Sequence, residues 1–218
     1  TATADWLAAA APVAERLRRG DTNGIPAAEV LEFQAINDFH RFDPMELVAS
    51  AAEQAALVNA RGNPPYLLFP EDRRYPIRMT DELPWRWVKS GPGTNVVGEA
   101  ARGEFFTWQI GWFAAGQAAE ELAVAFTDLE SPGGGRIPRS AMRCFNLAGT
   151  NWLGAAIRKS VSVPKGAVQP LWFGVDVPRG VAPGRYRGAV TLSAARVPAT
   201  TVTLDLTVTD AEREDGGD

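Results

Sequence analysis

Short segments in which apolar and polar residues alternate constrain the fold of this chain more than any other feature of its sequence. The alternation is clearest at 104–114, 171–177 and 200–208. Successive side chains of a strand point to opposite faces, so this pattern predicts strands that bury one face. The residues expected to be buried there are Phe106, Trp108, Phe173, Val175, Leu204 and Leu206.

Further strands are predicted at 30–39, 66–69, 122–126, 157–163 and 186–192, with turns at 70–73, 131–135 and 183–184. Glycine and proline supply 21 and 16 residues, together 37 of 218. That is about 17%, against an average near 12%, which favours many turns. Several short alternating strands with turn signals between them predict a mainly β fold, an antiparallel two-sheet β-sandwich.

Two segments carry helix signals instead. Residues 5–19 have near-helical apolar spacing between Asp5, a candidate N-cap, and Gly20. Ser50 and Glu53 form a capping-box pair, which predicts a short helix over 51–60. The predicted organisation is a helical segment or linker at 1–27, a sandwich at 28–209 and an acidic linker at 210–218 that leads toward a further domain.

The charge of the chain disfavours nucleic acid as a partner. The formal net charge is −4, and residues 209–218 alone hold five acids and one base, a sum of −4. The rest of the chain is therefore neutral overall, without the basic surface that phosphate backbones require. No apolar stretch approaches the roughly 20 residues of a bilayer-spanning helix, so no membrane partner is predicted.

The chain has a single cysteine, Cys144, and a single histidine, His40. A His/Cys zinc site is implausible with this set, and a Ser-His-Asp arrangement would have to use His40. Cys144 lies in an alternating apolar run and is expected in the core. We therefore predict no metal and no cofactor.

Adjacent carboxylates occur at Glu71-Asp72, Asp81-Glu82 and Glu120-Glu121. Glycosidic hydrolysis requires two acids facing one bond, whereas neighbours on a strand point to opposite faces. Ion pairs within a turn explain Glu71 and Asp72 beside Arg73. The sequence therefore predicts no catalytic residue in this chain.

Aromatic residues give the better contact candidates. The segment Pro84-Trp85-Arg86-Trp87 places two indole rings two residues apart, so both point the same way if it is extended. Trp152 is expected in a loop. The predicted ligand or interface contacts are Trp85, Trp87, Trp152, Asp72 and Arg73. The alternative is ordinary packing for the tryptophans and local ion pairs within a turn for Asp72 and Arg73.

An ordered set of segments carries a resemblance that composition does not. These are 42–46 (FDPME), 66–73 (YLLFPEDR), 103–111 (GEFFTWQIG), 144–147 (CFNL), 174–178 (GVDVP) and 182–188 (APGRYRG). In this order they resemble the N-terminal part of bacterial glycoside hydrolases related to family 123. The resemblance implies a β-sandwich followed by a (β/α)₈ barrel. It also implies exo-β-N-acetylgalactosaminidase activity with substrate assistance, in which an Asp-Glu pair of the barrel is catalytic.

No segment of this chain resembles that barrel, and Asp81-Glu82 lies in the sandwich part. The expectation is therefore a non-catalytic β-sandwich portion of a glycoside hydrolase, which packs on a downstream barrel and walls its sugar site. The partners implied are that barrel and a carbohydrate. Two alternatives stay open: an autonomous carbohydrate-binding module and a purely structural spacer.

Overall fold

A computed structural model describes residues 11–21, 23 and 44–214. Contacts divide the chain into two compact units, Thr1–Arg41 and Phe42–Asp218. In the first unit, helix α1 covers residues 11–18 of the predicted helix, and Gly20 follows it with a φ of 74°, as a C-terminal glycine does. The predicted strand at 30–39, His40 and the boundary at 27/28 lie outside the described residues.

The described residues of the second unit, 44–214, form helices α2 and α3, a 3₁₀ turn at Arg139–Ala141, and twelve strands. The helices are α2 (Ala51–Ala60) and α3 (Trp85–Ser90). The strands are β1 (Leu67–Asp72), β2 (Asn95–Arg102), β3 (Phe105–Phe113), β4 (Glu120–Phe126), β5 (Leu129–Glu130), β6 (Arg136–Ile137), β7 (Met142–Cys144), β8 (Ala148–Thr150), β9 (Ala156–Arg158), β10 (Val168–Asp176), β11 (Gly184–Ala195) and β12 (Val197–Glu212).

The strands form two main sheets and a separate hairpin. Sheet I has the order β1-β3-β10-β7, and sheet II has the order β2-β12-β11-β5-β6, with β4 also paired to β11. The hairpin consists of β8 and β9. The pairs are antiparallel except β2 with β12, which is parallel. The prediction of a mainly β sandwich is confirmed.

The main core lies between the two sheets and contains the residues that the alternation assigned to it. Phe106, Trp108, Phe173, Val175, Leu204 and Leu206 are all buried. The ring of Trp108 stacks on that of Phe173, with centroids 5.4 Å apart. Period-two alternation therefore identified the correct face of these strands.

A second core covers the outer face of sheet I at its β1 edge. Helices α2 and α3 and the segments around Met45 and Leu83 pack there on Phe69 of β1. The ring of Trp87 lies against Gly111 of β3, where a Cβ atom would come within 2.2 Å of the ring. A side chain at position 111 would therefore displace Trp87, so glycine is required for this close approach.

Strand β2 was not predicted from the sequence. Its inward positions include Val96 and Ala100, which are buried, while Gly98 between them lies under the ring of Phe106. Small residues bury little apolar surface of their own, so they produce no strong hydrophobic period. The large ring that fills this space belongs to β3, and the sequence of β2 does not reveal it.

One local prediction is wrong, and one condition is not met. Residues 70–72 continue β1 rather than form a turn, because β1 is an edge strand and tolerates Pro70. Residues 85–87 begin a helix, so the extended conformation in which both indole rings would point the same way is not adopted. The amide of Trp85 donates to the carbonyl of Leu47 at 2.6 Å, which fixes the chain where α3 starts.

The ends of two predicted strands also differ. Of the strand predicted at 157–163, only residues 157 and 158 lie in a strand, β9 (Ala156–Arg158). Val163 forms a single bridge with Ala119. In contrast, β12 is longer than predicted and continues to Glu212, inside the segment 210–218 expected to be a linker. Arg102 and Arg179 hold the Glu212 carboxylate at 3.3 and 3.0 Å, so this acid of the predicted linker is ion-paired.

Candidate functional site

The two tryptophans at the start of α3 have different environments. Trp87 is 1% exposed and stacks on Phe69, with centroids 4.4 Å apart. Trp85 is 39% exposed. On a helix, residues two apart point about 200° apart, so the rings separate to opposite sides. Trp87 is therefore a core residue that offers no surface contact in this chain, and Trp85 remains the candidate.

Trp85 lies in an exposed apolar area that we call the Trp85 patch, formed by Pro44, Leu47, Trp85 and Lys89. These residues border a cavity of about 280 Å³. The ammonium group of Lys89 lies 5.5 Å from the centre of the Trp85 ring, a cation–π contact. An indole ring with an accessible face beside a small cavity can stack on a sugar ring or on an apolar side chain of a partner domain.

The Trp85 ring is held from its edge. Its Nε1 donates to Oε1 of Glu53 at 3.0 Å, and Oε2 of Glu53 accepts from the amide of Ser50 at 2.8 Å. The hydroxyl of Ser50 is the main cause of a lowered pKa at Glu53, and its amide and Trp85 add to the shift. The predicted capping box thus begins α2, and the same carboxylate positions Trp85, a link that the sequence pattern did not predict.

Arg86 and Trp87 fix α3 to β1 through Glu71. Oε1 of the buried Glu71 accepts from Nε1 of Trp87 at 2.8 Å and from Nε of Arg86 at 3.1 Å. The guanidinium of Arg86 also lies 4.1 Å from the centre of the Tyr75 ring. Glu71 is therefore an anchor for α3 rather than a turn carboxylate.

Asp72 and Arg73 do not join the Trp85 patch and do not pair with each other. Asp72 pairs with Arg74 at 2.9 Å. Burial raises the pKa of Asp72, but the amide and side chain of Arg74 outweigh it and lower the pKa overall. Arg73 pairs with Glu104 at 2.8 Å and lies 5.5 Å from the centre of the Phe106 ring. Both residues fix the ends of strands in sheet I.

Trp152 lies at the tip of the β8–β9 hairpin and is 90% exposed. Leu153 beside it is also exposed, and the Oδ1 of Asn151 accepts from the amides of Leu153 and Ala155, both at 3.0 Å. This side-chain turn holds the tip in shape. Trp152 therefore forms an aromatic surface of its own, on a different element from Trp85.

Sequence reasoning missed two further exposed rings on sheet I, Phe105 and Phe145. Phe105 packs over Gly174, and its ring centroid lies 5.9 Å from that of Phe145. The guanidinium of Arg143 lies 5.3 Å from the Phe105 ring centre. The signal that could have identified Phe105 is its position opposite Phe106 on a strand whose other face was assigned to the core.

The described carboxyl groups with clearly shifted pKa values are all shifted downward: Asp21, Glu53, Asp72, Glu104, Asp128 and Asp205. Their hydrogen-bond donors and guanidinium partners outweigh burial and stabilise the ionised form. A general acid of a glycoside hydrolase needs the opposite, a raised pKa.

Among the described residues no cluster of three or more His, Cys, Asp or Glu side chains could hold a metal ion. None of the described helices has the length and hydrophobicity needed to cross a bilayer.

We expect Glu104→Gln to weaken the dependence of stability on acid. Burial raises the pKa of Glu104, but the Ala101 amide and Arg73 outweigh it, so the folded pKa lies below its ordinary value. A lowered folded pKa contributes stability above the unfolded pKa, which is lost as the pH falls through the folded value. Since Arg73 is half-exposed, the unfolding free energy difference between pH 7 and pH 3 should shrink by only about 1 kcal/mol. Urea unfolding at both pH values measures it, with the exposed Glu99→Gln as control. An unchanged difference would contradict the role of this pair.

Comparison with known proteins finds only distant structural likeness. No family model and no curated protein sequence matches the chain. A family 123 glycoside hydrolase from Clostridium perfringens aligns at a TM-score of 0.46 and 15% identity, over 56% of this chain and 24% of that one. A Bacteroides ovatus GH5 xyloglucanase aligns at 0.31 and 16%, over 56% and 19%. The N-terminal domain of PorA aligns at 0.38 and 12%, over 66% and 98%. The chain spans about a quarter of the family 123 structure, and its likeness to that protein is distant.

Proposed function

We propose that this chain is a non-catalytic β-sandwich domain of a glycoside hydrolase related to family 123. In this proposal it packs on a downstream barrel and walls the sugar site, and the Trp85 patch is the contact surface. The observation that carries the proposal is the partly exposed ring of Trp85, held by Glu53 beside an open cavity on a rigid scaffold. The class of protein in this proposal, a glycoside hydrolase, is taken from the ordered segments that resemble such enzymes.

The described carboxyl groups whose pKa is clearly shifted all have a lowered pKa, which supports a non-catalytic role for them. Glu104 is paired with Arg73, and Asp128 accepts from the amide of Arg139 at 2.7 Å and from Nε of Arg136, also at 2.7 Å. Carboxylates that accept such hydrogen bonds and ion pairs stay ionised, so they are poor proton donors at neutral pH. The sugar chemistry is accordingly assigned to the barrel, with N-acetylgalactosaminides as the substrate class that the resemblance implies.

Trp152 favours the second candidate, an autonomous carbohydrate-binding module. Its ring is almost fully exposed at a hairpin tip, where a pyranose face could stack on it. The third candidate, a spacer domain, predicts that every tryptophan is packed and that no cavity is open. Trp85 and Trp152 do not meet that expectation.

The test compares the isolated chain with the longer protein that continues into the barrel. We expect the isolated chain to show no turnover of an aryl N-acetylgalactosaminide and the longer protein to hydrolyse it. Trp85→Ala in the longer protein should lower kcat/KM roughly tenfold or more if the ring is a central contact. Val97→Ala, which truncates an exposed apolar residue on β2, is the matched control and should have no effect.

Three other outcomes would each contradict the proposal or one part of it. Turnover by the isolated chain would place the active site in the sandwich and overturn the proposal. Equal activity of Trp85→Ala, Val97→Ala and the unmodified protein would remove the contact role of Trp85. Binding of N-acetylgalactosamine by the isolated chain, lost in Trp152→Ala, would select the carbohydrate-binding module.

A further inference from the structure

A cavity opens along one side of the sandwich, between strands that end the pairing of each sheet. Among the described strands, β4 pairs only with β11 of sheet II, and β7 pairs only with β10 of sheet I. Residues of β4 and β7 and of the β8–β9 hairpin line the cavity, which we call the seam cavity. Its volume is about 420 Å³. Sites for small organic ligands commonly span about 300–1,000 Å³.

The wall of the seam cavity is apolar. It joins the main core through Phe126, whose ring meets Phe173 edge-on with centroids 6.2 Å apart. Burial raises the pKa of the Cys144 thiol, so this wall residue is neutral. The amide of Leu122 on β4 donates to the carbonyl of Val161 at 3.0 Å. The larger apolar lining residues are Leu122, Val124, Phe126, Met142, Cys144 and Leu147.

The rim of the seam cavity is positively charged. Arg158 and Lys159 line it together with Glu121, and Arg143 also borders it but directs its guanidinium to the Phe105 ring. Without Arg143, two positive groups and one negative group leave a net charge of about +1. Arg158 and Lys159 are exposed and make no ion pair with any residue that the structure describes. A chain with a net charge of −4 thus presents a cationic rim above an apolar wall.

We infer that the seam cavity binds a small amphipathic anion, an apolar chain or ring system that carries one carboxylate. The apolar body would lie on the wall, and the carboxylate would pair with Arg158 and Lys159 at the rim. A neutral sugar would leave the wall without an apolar partner, and a cation would be repelled by the rim. This site shares no residue with the Trp85 patch, so the test of this inference is independent of the test of the proposed function.

The test uses decanoate as the probe and the whole chain, with titration calorimetry as the readout. We expect saturable one-to-one binding of decanoate. Decanol, which has the same chain without the charge, should bind about tenfold more weakly or worse, because a hydrogen bond to a charged group is commonly worth that factor. Decyltrimethylammonium should not bind.

Two variants assign the binding to the seam cavity. Arg158→Gln with Lys159→Gln should weaken decanoate binding by about tenfold or more, while Arg61→Gln with Lys165→Gln removes equal charge elsewhere and should leave it unchanged. Ala148→Trp should block the cavity from its lining strand β8. Circular dichroism of each variant confirms that it is folded.

Three results would overturn the inference. The first is no decanoate binding, and the second is equal affinity for decanoate and decanol. The third is decanoate binding that survives both Ala148→Trp and the rim double variant. A chain that instead dimerises in light scattering, with Ala148→Trp abolishing the dimer, would assign the seam cavity to a second copy of the chain and not to an anion.

Discussion

Replacing Phe173 by alanine is expected to lower the free energy of unfolding by about 3–5 kcal/mol, the cost typical of truncating a fully buried phenylalanine. The Phe173 side chain is 0% exposed, stacks on Trp108 and meets Phe126 edge-on. Its removal leaves a void between the two sheets that the surrounding strands cannot close without breaking their register. Denaturant unfolding monitored by circular dichroism measures the change.

Phe145→Ala is the matched control for this prediction. Phe145 follows β7, the strand next to β10 in sheet I, but it is 40% exposed on the outer face. Its truncation should cost about 1 kcal/mol or less, since little buried surface is lost. A cost below 1 kcal/mol for Phe173→Ala as well would show that the inner face of β10 does not carry the core.

Trp87→Ala is expected to destabilise the chain by about 3–5 kcal/mol, whereas Trp85→Ala should cost about 1 kcal/mol or less. Trp87 stacks on Phe69, fills the space above Gly111 and donates to the buried Glu71. Its loss empties the second core and removes one of the donors that satisfy that carboxylate. Trp85 loses only a hydrogen bond to Glu53 and partly exposed packing.

Thermal and denaturant unfolding of the two variants side by side checks this difference. The variants have the same chemistry, lie two residues apart and differ only in the side of α3 that they occupy. Equal destabilisation by both would mean that the two rings are buried alike, and the proposal for the Trp85 patch would then lose its basis.

The contrast between the two tryptophans shows where local sequence patterns stop being informative. The segment 85–87 has no strong period, and Pro84 before it allows either an extended segment or a helix start. The conformation follows from contacts with distant residues: Leu47 accepts from the amide of Trp85, and Glu71 accepts from the side chain of Trp87. Neither partner can be identified from the segment itself.

The sequence by itself determined the sandwich, its inward faces and the start of α2. The sequence signals of those features lie within short stretches of the chain: strand side chains alternate every residue, and a capping box closes within four residues. Only the tertiary structure decided that β2 is a strand, that Trp87 is core while Trp85 is at the surface, and that Arg158 and Lys159 line the rim of an apolar cavity. These features depend on side chains from other strands and helices, such as Phe106 over Gly98 and Trp87 over Gly111. A local pattern cannot record a neighbour that is brought close only when the two sheets and the helices pack together.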